Sequence, residues 1–370
     1  MAENKKIAIV YDWFDKWGGV ERVLLTFKEM FPEADFFTSY LDLKGAGWAR
    51  DLNVKTSFIQ DLPEFIRKRR LFSMPFYPFA FESFDFSDYD LVISVTSSFA
   101  KSIISGIKTK HICYLLTPTR FLWSHKQDYF RENFFNKFYV SYLKNWDVVV
   151  SQRPDQIISI SETVRERCLR YYRRDSLVIY PPFDVNYWRG LKSEAKNEPL
   201  TDWLKINNYF LIVSRLEKYK KIDLAISVFN KSKKKLVVVG EGSEENYLKK
   251  ISGKNISFFP KLSDRDLAKL YSHAESLIMP QEEDFGYVSL EAQFFGCPVI
   301  SFAKGGGTET VNDGKSGVFF REQKAKSLLE AVERFTKISY NLKDNLTKFP
   351  TEVADKFSKE NFMTRFKSLL

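Results

Sequence analysis

Residues 209–240 read YFLIVSRLEKYKKIDLAISVFNKSKKKLVVVG, and this stretch decides the fold class. The runs from Tyr209 to Ser214 and from Lys235 to Gly240 are short, apolar and rich in β-branched residues, which predicts two buried strands. Between them, apolar residues recur at helical spacing from Ile222 to Phe229, which predicts a helix. A strand, a helix and another buried strand in this order indicate a parallel sheet with helices on both faces.

The same alternation extends along most of the chain. Further strands are predicted at residues 6–11, 90–94, 110–114, 156–160, 177–180, 256–259, 276–280 and 297–301. Two such series in tandem predict two Rossmann-like domains, with a cleft between them that faces the carboxyl ends of the strands. We place the first domain at residues 1–185, a polar linker at 186–205 and the second domain at 206–348. A C-terminal helix at 349–370 can pack back on the first domain.

Composition limits the classes of protein. The 370 residues are 44% hydrophobic and 28% charged, as in an ordinary soluble protein of two or three domains. Three scattered cysteines predict neither a disulfide framework nor a metal site, which favours the cytoplasm. The apolar run from Ile7 to Val10 is too short for the core of a signal peptide, and no apolar run is long enough to span a bilayer, so neither feature is expected. The net charge of +10 favours anionic partners, but no DNA-reading motif is present, so nucleic acid is not an expected partner.

Two basic residues follow the strand that ends at Ser214. Arg215 comes directly after it, and Lys220 lies near the start of the next helix. Anions bind where the carboxyl end of a strand meets a helix N-terminus, and an Arg fork with a Lys point charge would clamp a diphosphate there. A solvated basic turn explains the same residues, and this segment alone does not decide between the two interpretations.

A second candidate segment runs from Glu283 to Glu291 and reads EDFGYVSLE. Gly286 permits close approach of a ligand, and the backbone N–H groups of Gly286, Tyr287 and Val288 can point at a phosphate from the start of a helix. Glu283 is placed to accept from sugar hydroxyls and Glu291 from ribose hydroxyls. The alternative is that carboxylates near a helix start only stabilise the helix dipole.

Three glycine-rich turns follow predicted strands, at Gly18-Gly19, Gly240-Glu241-Gly242 and Gly305-Gly306-Gly307. Such turns permit close approach to phosphate or sugar, but each is equally consistent with a plain turn before a helix. In combination, however, these motifs resemble the GT-B glycosyltransferases, specifically the retaining family 4 group. The residues that carry the resemblance are Gly18, Gly19, Arg215, Lys220, Gly240, Gly242, Glu283, Glu291, Gly305 and Gly306.

The resemblance implies a GT-B fold and a nucleotide-sugar donor. It also implies that the catalytic residues are Arg215, Lys220 and Glu283. The two cations would neutralise the leaving diphosphate, and the Glu283 carboxylate would orient the sugar. The donor is expected to lie against Gly18, Gly19, Lys261, Phe285, Gly286, Tyr287, Val288 and Glu291. Lys261 is included because residues 259–271 resemble the family's segment beside the nucleobase, although Pro260 replaces the usual Gly. No metal or other cofactor is expected, since the cationic pair can take over an ion's role.

The first half resembles a mannosyltransferase-like branch of that family. Residues 114–123, YLLTPTRFLW, are similar to its stretch Tyr-x-His-Thr-Pro-x-Arg-x-x-Trp. The resemblance places Leu116, Arg120 and Trp123 on the acceptor and sugar side, and Leu116 stands where the family has an active-site His. It implies transfer of a hexose, with mannose from GDP-mannose as the favoured donor, to a glycan or lipid-linked glycan in polysaccharide biosynthesis. A sugar-nucleotide epimerase and a donor-binding protein that lacks activity because of Leu116 are the alternatives.

The segment from Arg67 to Phe79 reads RKRRLFSMPFYPF, with basic residues followed by aromatic ones. This pairing suits peripheral docking at an anionic bilayer, here the inner face of the cytoplasmic membrane. A solvated charge run followed by core aromatics is the alternative interpretation.

Overall fold

The computed structural model describes residues 5–124, 134–197, 208–348 and 355–370. These residues form two compact units. The first comprises Met1–Pro182 and Met363–Leu370, and the second comprises Phe183–Phe362.

The first unit is built on a parallel sheet of seven strands in the order β3-β2-β1-β4-β5-β6-β7. Its strands are β1 (Ile7–Tyr11), β2 (Asp35–Thr38), β3 (Val54–Thr56), β4 (Leu91–Thr96), β5 (Lys110–Leu115), β6 (Gln156–Ser159) and β7 (Leu177–Val178). Its helices are α1 (Gly19–Met30), α2 (Glu64–Arg67), α3 (Arg70–Ser73), α4 (Tyr77–Glu82), α5 (Arg120–Trp123), α6 (Phe134–Val150) and α7 (Glu162–Tyr172), with short 3₁₀ turns at Gly47–Ala49, Phe58–Asp61, Met74–Phe76 and Ala100–Ser102.

The central strand β4 explains why this sheet is covered on both faces. Every residue of β4 is buried, although successive side chains point to opposite faces. One face packs on an aromatic cluster that includes Trp13, Phe37, Tyr77 and Phe99. Many of the chain's 35 phenylalanines are core residues.

The second unit repeats the winding with six parallel strands in the order β10-β9-β8-β11-β12-β13. Its strands are β8 (Tyr209–Val213), β9 (Lys235–Val239), β10 (Ile256–Phe259), β11 (Ser276–Met279), β12 (Val299–Phe302) and β13 (Gly317–Phe320). Its helices are α8 (Val185–Asn197), α9 (Ile222–Ser232), α10 (Glu245–Ile251), α11 (Asp264–His273), α12 (Tyr287–Phe294), α13 (Gly307–Thr310), α14 (Ala325–Asn345) and α15 (Lys359–Lys367), with 3₁₀ turns at Lys218–Lys220 and Leu346–Lys348. The prediction of two α/β units on parallel sheets is confirmed.

Helix α8, Val185–Asn197, occupies the described part of the predicted linker at 186–205. The buried side chains of Val185 and Trp188 hold this helix in the second unit, and the Trp188 ring lies 5.8 Å from that of Phe295. Lys192 Nζ also donates to the Phe294 carbonyl at 2.8 Å, and the buried side chains of this segment are too few to show a helical period in the sequence. The rest of the predicted linker, residues 198–205, lies outside the described residues.

The end of the chain belongs to both units. Helix α15 begins at Lys359 in the second unit, whereas Met363–Leu370 are part of the first. The Phe366 ring contacts Phe27 of α1 at 4.8 Å between centroids. Residues 349–354 of the predicted C-terminal helix lie outside the described residues. Among the helices described, none combines the length and the apolar character needed to cross a bilayer.

Candidate functional site

The second sheet reverses its winding between β8 and β11, which are neighbours in the sheet but not in the chain. Loops that leave such a pair run in opposite directions and open a crevice at the carboxyl ends of the strands, where α/β proteins bind ligands. Arg215 and Lys220 follow β8, and Glu283 follows β11. The three predicted catalytic residues therefore lie at this switch point.

Lys220 and Glu283 form an ion pair at its centre. The Lys220 Nζ lies 2.5 Å from Glu283 Oε1, and the two side chains are only 10% and 14% exposed. The Gln281 side-chain amide donates to the same carboxylate oxygen at 2.6 Å. Gln281 is itself buried, and its Oε1 has no hydrogen-bond partner among the described residues. The crevice thus holds an ammonium, a carboxylate and an unsatisfied amide oxygen side by side.

Arg215 is exposed and is oriented by Tyr219, which the sequence analysis did not single out. The guanidinium Nη2 donates to the Tyr219 hydroxyl at 2.6 Å. The Tyr219 ring also lies 5.3 Å from Lys220 Nζ and 6.0 Å from Arg215 Cζ. One aromatic ring therefore contacts both cations, and cation–π attraction favours this arrangement of the two side chains.

The glycine turns position these loops through backbone contact. A Cβ on Gly240, whose φ is +142°, would lie 1.9 Å from the Ser214 carbonyl oxygen, so the loop after β9 packs directly on the loop after β8. A Cβ on Gly306 would lie 2.4 Å from Phe285 Cα, and the Gly306 N–H donates to the Glu283 carbonyl at 2.7 Å. Only glycine permits these approaches, and they fix the backbone that carries Arg215 and Glu283.

Helix α12 begins directly beside the ion pair. Gly286 adopts a left-handed conformation, with φ of +93°, and precedes Tyr287, the first helical residue. The first turn of α12 carries no acidic side chain, so its backbone N–H groups remain suited to an anion. Phe285 is buried against Tyr287 and Phe357 and serves as packing under this turn.

Glu291 lies further along α12 and is almost fully buried. Its Oε2 accepts a hydrogen bond of 3.0 Å from the Tyr271 hydroxyl. Burial and the neighbouring Glu291 carboxylate raise the pKa of Tyr271 well above its usual value, so the phenol stays protonated and remains a donor. Tyr271 therefore fixes the orientation of Glu291. Lys261 is exposed, and its backbone N–H donates to Glu241 Oε1 at 3.4 Å.

The remaining predicted residues belong to the first unit. Gly18 and Gly19 are exposed at the start of α1. Leu116 follows β5 directly, is buried, and donates its N–H to the Thr96 carbonyl at 2.8 Å. Arg120 is the first residue of α5 and is half-buried. Leu116 thus presents an apolar side chain at the carboxyl end of a central strand.

Trp123 ends helix α5 above a buried polar cluster. Its indole N–H donates to Asp147 Oδ2 at 2.7 Å, and Asp147 Oδ1 pairs with Lys101 Nζ at 2.7 Å. Asp147 and Lys101 are at most 1% exposed, and Tyr172 and Thr119 donate to the same carboxylate. The cluster therefore fixes the end of α5 through the Trp123 indole. Asp147 was not predicted from the sequence, where its only signal is one acidic residue in the apolar run of α6.

Asp12 is a further residue that was not predicted from the sequence. It follows β1 at the switch point of the first sheet, beside β4, and is fully buried. Its carboxylate accepts backbone N–H bonds of 2.8 Å from Ser97, Phe99 and Ala100, and a hydroxyl bond of 2.9 Å from Thr96. The Asp12 carboxylate therefore fixes the turn that follows β4. An Asp directly after the first strand was the available signal.

No group of three or more His, Cys, Asp or Glu side chains suited to a metal ion occurs in the described ranges of the chain. The thiols of Cys113, Cys168 and Cys297 are buried and free. Burial raises the pKa of Cys113 and Cys297 to about 12 and that of Cys168 to about 11, so none of them is a ready nucleophile.

Comparison with solved structures settles the fold. Anabaena HepE in complex with UDP matches with a TM-score of 0.72 at 16% identity, over 98% of this chain and 99% of that one. This chain has the GT-B fold. The predicted GT-B fold, with two Rossmann-like units, is therefore confirmed.

Sequence comparisons cover part of this GT-B chain. Residues 199–350 match the family model described as glycosyl transferases group 1. Glycogen synthase of Xanthomonas campestris pv. campestris is 29% identical over 164 residues, 41% of this chain and 34% of the relative. The O-antigen chain mannosyltransferase C of Escherichia coli is 26% identical over 204 residues, 52% of this chain and 51% of the relative. The matches thus span about a third to a half of these curated relatives.

Proposed function

We propose that this chain is a retaining glycosyltransferase that moves a hexose from a nucleotide sugar to a glycan or lipid-linked glycan acceptor. The observation that carries the proposal is the ion pair between Lys220 and Glu283 at the switch point of the second sheet, with the buried Gln281 oxygen beside it. The match of residues 199–350 to glycosyl transferases group 1 supports the same activity.

A bound donor changes the partners of this pair. A diphosphate brings negative charge to the start of α12, and Lys220 can contact it only by sharing its ammonium between phosphate and Glu283. The carboxylate and the Gln281 oxygen then gain capacity to accept bonds from sugar hydroxyls. A single crevice would therefore bind the diphosphate through cations and the sugar through acceptors.

The same groups would assist the chemistry. The bond between the sugar C1 and the phosphate oxygen breaks, and negative charge grows on the departing diphosphate. Lys220 and the exposed Arg215 lie on one loop, where they would stabilise this charge without a metal ion or another cofactor. Retention follows if the acceptor oxygen bonds to C1 on the face that the diphosphate leaves, while the acceptor proton passes to a phosphate oxygen. Such a step requires no imidazole at Leu116.

Mannose from GDP-mannose is the donor we favour. The similarity to an O-antigen chain mannosyltransferase supports mannose, whereas the HepE complex contains UDP. A second candidate function is donor binding without transfer, because the buried Leu116 side chain can neither donate nor accept a hydrogen bond. An epimerase would need acid and base side chains at the sugar, and Leu116 supplies neither.

Thermal unfolding with added ligands tests the proposal. We expect GDP-mannose, and GDP alone, to raise the Tm of the wild-type chain more than UDP-glucose or ADP-glucose do; at 100 times Kd the stabilisation is about 2.7 kcal/mol. Lys220→Ala removes the diphosphate contact and should abolish both shifts. Glu283→Gln should keep the shift with GDP and reduce the additional shift with GDP-mannose.

Lys218→Ala is the matched control, because Lys218 is exposed on the same turn as Lys220. If no nucleotide sugar stabilises the wild-type chain, the proposal fails. Incubation with GDP-mannose distinguishes the rivals: slow release of GDP and free mannose supports a transferase, an altered sugar still attached to GDP supports an epimerase, and no turnover with or without glycan acceptors supports donor binding alone.

A further inference from the structure

Exposed phenylalanines are concentrated in one segment of the first unit. Among the described residues, those with large exposed fractions are Phe58, Phe65, Phe72, Phe76, Phe79 and Phe138. Five of the six lie between residues 58 and 79, and the described part of the second unit has none. Large apolar side chains that cluster on a surface mark a site of interaction.

Phe72, Phe76 and Phe79 lie on one face of the short helical pieces α3, Met74–Phe76 and α4. Their spacing of four and three residues is that of one helical face, and they are 51%, 38% and 64% exposed. The intervening Met74 and Tyr77 are buried in the aromatic core. The segment is therefore anchored on one side and presents phenyl rings on the other.

The Tyr77 ring fixes this arrangement. It stacks on Phe99 at 4.7 Å between centroids, with an interplanar angle of 18°. Ser73 Oγ and the Tyr77 hydroxyl lie 3.2 Å apart within the same buried layer. Because the inner side is packed in this way, the outer phenylalanines cannot turn inward without loss of core contacts.

The charge next to the rings has one dominant sign. Residues 63–80 contain Arg67, Lys68, Arg69 and Arg70 but only one acidic residue, Glu64. Lys68 pairs with Glu64 at 2.7 Å and with Asp42 at 3.2 Å, so the excess positive charge beside the rings comes from the arginines. The Arg69 guanidinium lies 5.8 Å from the centroid of the exposed Phe72 ring, so a cation adjoins the apolar face directly.

We propose that this face, defined by Phe65, Phe72, Phe76, Phe79 and the basic residues Arg67, Lys68 and Arg69, docks the chain on an anionic lipid bilayer. Phenyl rings at the depth of the headgroups bury apolar area, while neighbouring Arg and Lys side chains reach lipid phosphates. The two interpretations of the segment from Arg67 to Phe79 thus apply to different residues, with Met74 and Tyr77 in the core and the phenylalanines outside. The inference does not depend on the proposed transfer activity.

Co-sedimentation of the full chain with vesicles tests this surface. Vesicles of phosphatidylcholine alone are compared with vesicles of phosphatidylcholine and phosphatidylglycerol at low and high salt. We expect binding to the anionic vesicles only, weakened by salt. The triple variant Phe72→Ser/Phe76→Ser/Phe79→Ser should lose at least about tenfold in vesicle affinity, and Arg69→Glu should lose about tenfold.

Tyr247→Ser/Tyr340→Ser is the matched control, because both rings are exposed in the second unit. This control should bind vesicles as the wild type does, and all variants should keep the wild-type Tm and its shift with a nucleotide sugar. The proposal is overturned if the wild type ignores anionic vesicles, if it binds neutral ones equally, or if the triple variant binds unchanged. It is also overturned if the triple variant converts a dimer to a monomer, since the face would then join two copies of the chain.

Discussion

A double-mutant cycle on Lys220 and Glu283 is the sharpest test of the crevice in the second unit. The variants are Lys220→Met, Glu283→Gln and the double variant, all in the full chain without ligand. Met keeps the length of the lysine side chain, and Gln keeps the shape of the carboxylate. Each single variant therefore removes one charge with little change in packing, so the cycle reports the attraction between the two charges.

The expected magnitudes follow from burial and partners. Both side chains are more than four-fifths buried, so solvent screens the pair less than it screens a surface pair. Breaking one side of a buried pair costs about 3–5 kcal/mol. In Lys220→Met, Gln281 still donates to Glu283, so we expect a loss of about 3 kcal/mol in the free energy of opening. In Glu283→Gln, the new amide oxygen still accepts from Lys220, so we expect a loss of about 2 kcal/mol. The double variant should cost about 3 kcal/mol, which gives a coupling of about 2 kcal/mol.

Hydrogen–deuterium exchange of peptides that span β8 and β11 measures the local free energy of opening, and does not require the two units to unfold together. The same peptides from the Lys218→Ala variant provide the baseline. A coupling below about 0.5 kcal/mol would refute the reasoning, because the pair would then contribute no more than a surface contact.

Two further predictions concern the first unit. Asp12→Asn should destabilise it by about 3 kcal/mol in urea unfolding. The new amide group cannot accept from all of the buried N–H groups that bond to the Asp12 carboxylate, so one donor loses its partner. A loss below about 1 kcal/mol would contradict this. Burial lowers the pKa of His111 to about 3 from an ordinary 6.5, so the unfolded chain takes up this proton first as the pH falls. Stability should therefore fall from about pH 6.5 towards pH 3, by at most about 1.4 kcal/mol per pH unit from this residue, and His111→Asn should show a shallower slope in a pH series of unfolding measurements.

Several strands were predictable from sequence because their signal is local. The runs at β1, β4, β5, β8 and β9 are apolar over most of their length and are buried on both faces, so their position and type follow from composition alone. The strands β2, β3 and β13 were not predicted, and length is not the reason, since β6, β10, β11 and β12 also have four residues and were predicted. Helix α8 was not predicted either, because its few buried side chains do not show a helical period in the sequence.

The candidate site divides in the same way. Arg215, Lys220 and Glu283 were found because each follows a predicted strand, and parallel strands bring their carboxyl ends to one edge. Tyr219, Gln281 and Tyr271 were not found, because a role in orienting a neighbour leaves no mark on local sequence. Asp12 and Asp147 were missed because a buried carboxylate and an exposed one look alike in the sequence. They are told apart only when the hydrogen-bond donors around each carboxylate are known.

The sequence by itself determined the two parallel α/β units and the edge at which charged residues gather, because strand and helix periods are properties of short stretches. Only the tertiary structure decided which of those residues meet. Lys220 and Glu283 are 63 positions apart and touch because the sheet order places β8 beside β11. The same holds for the phenylalanines of residues 65–79, whose sorting into core and surface depends on the elements packed beneath them. Contacts between distant segments depend on strand order and register, which no local pattern encodes.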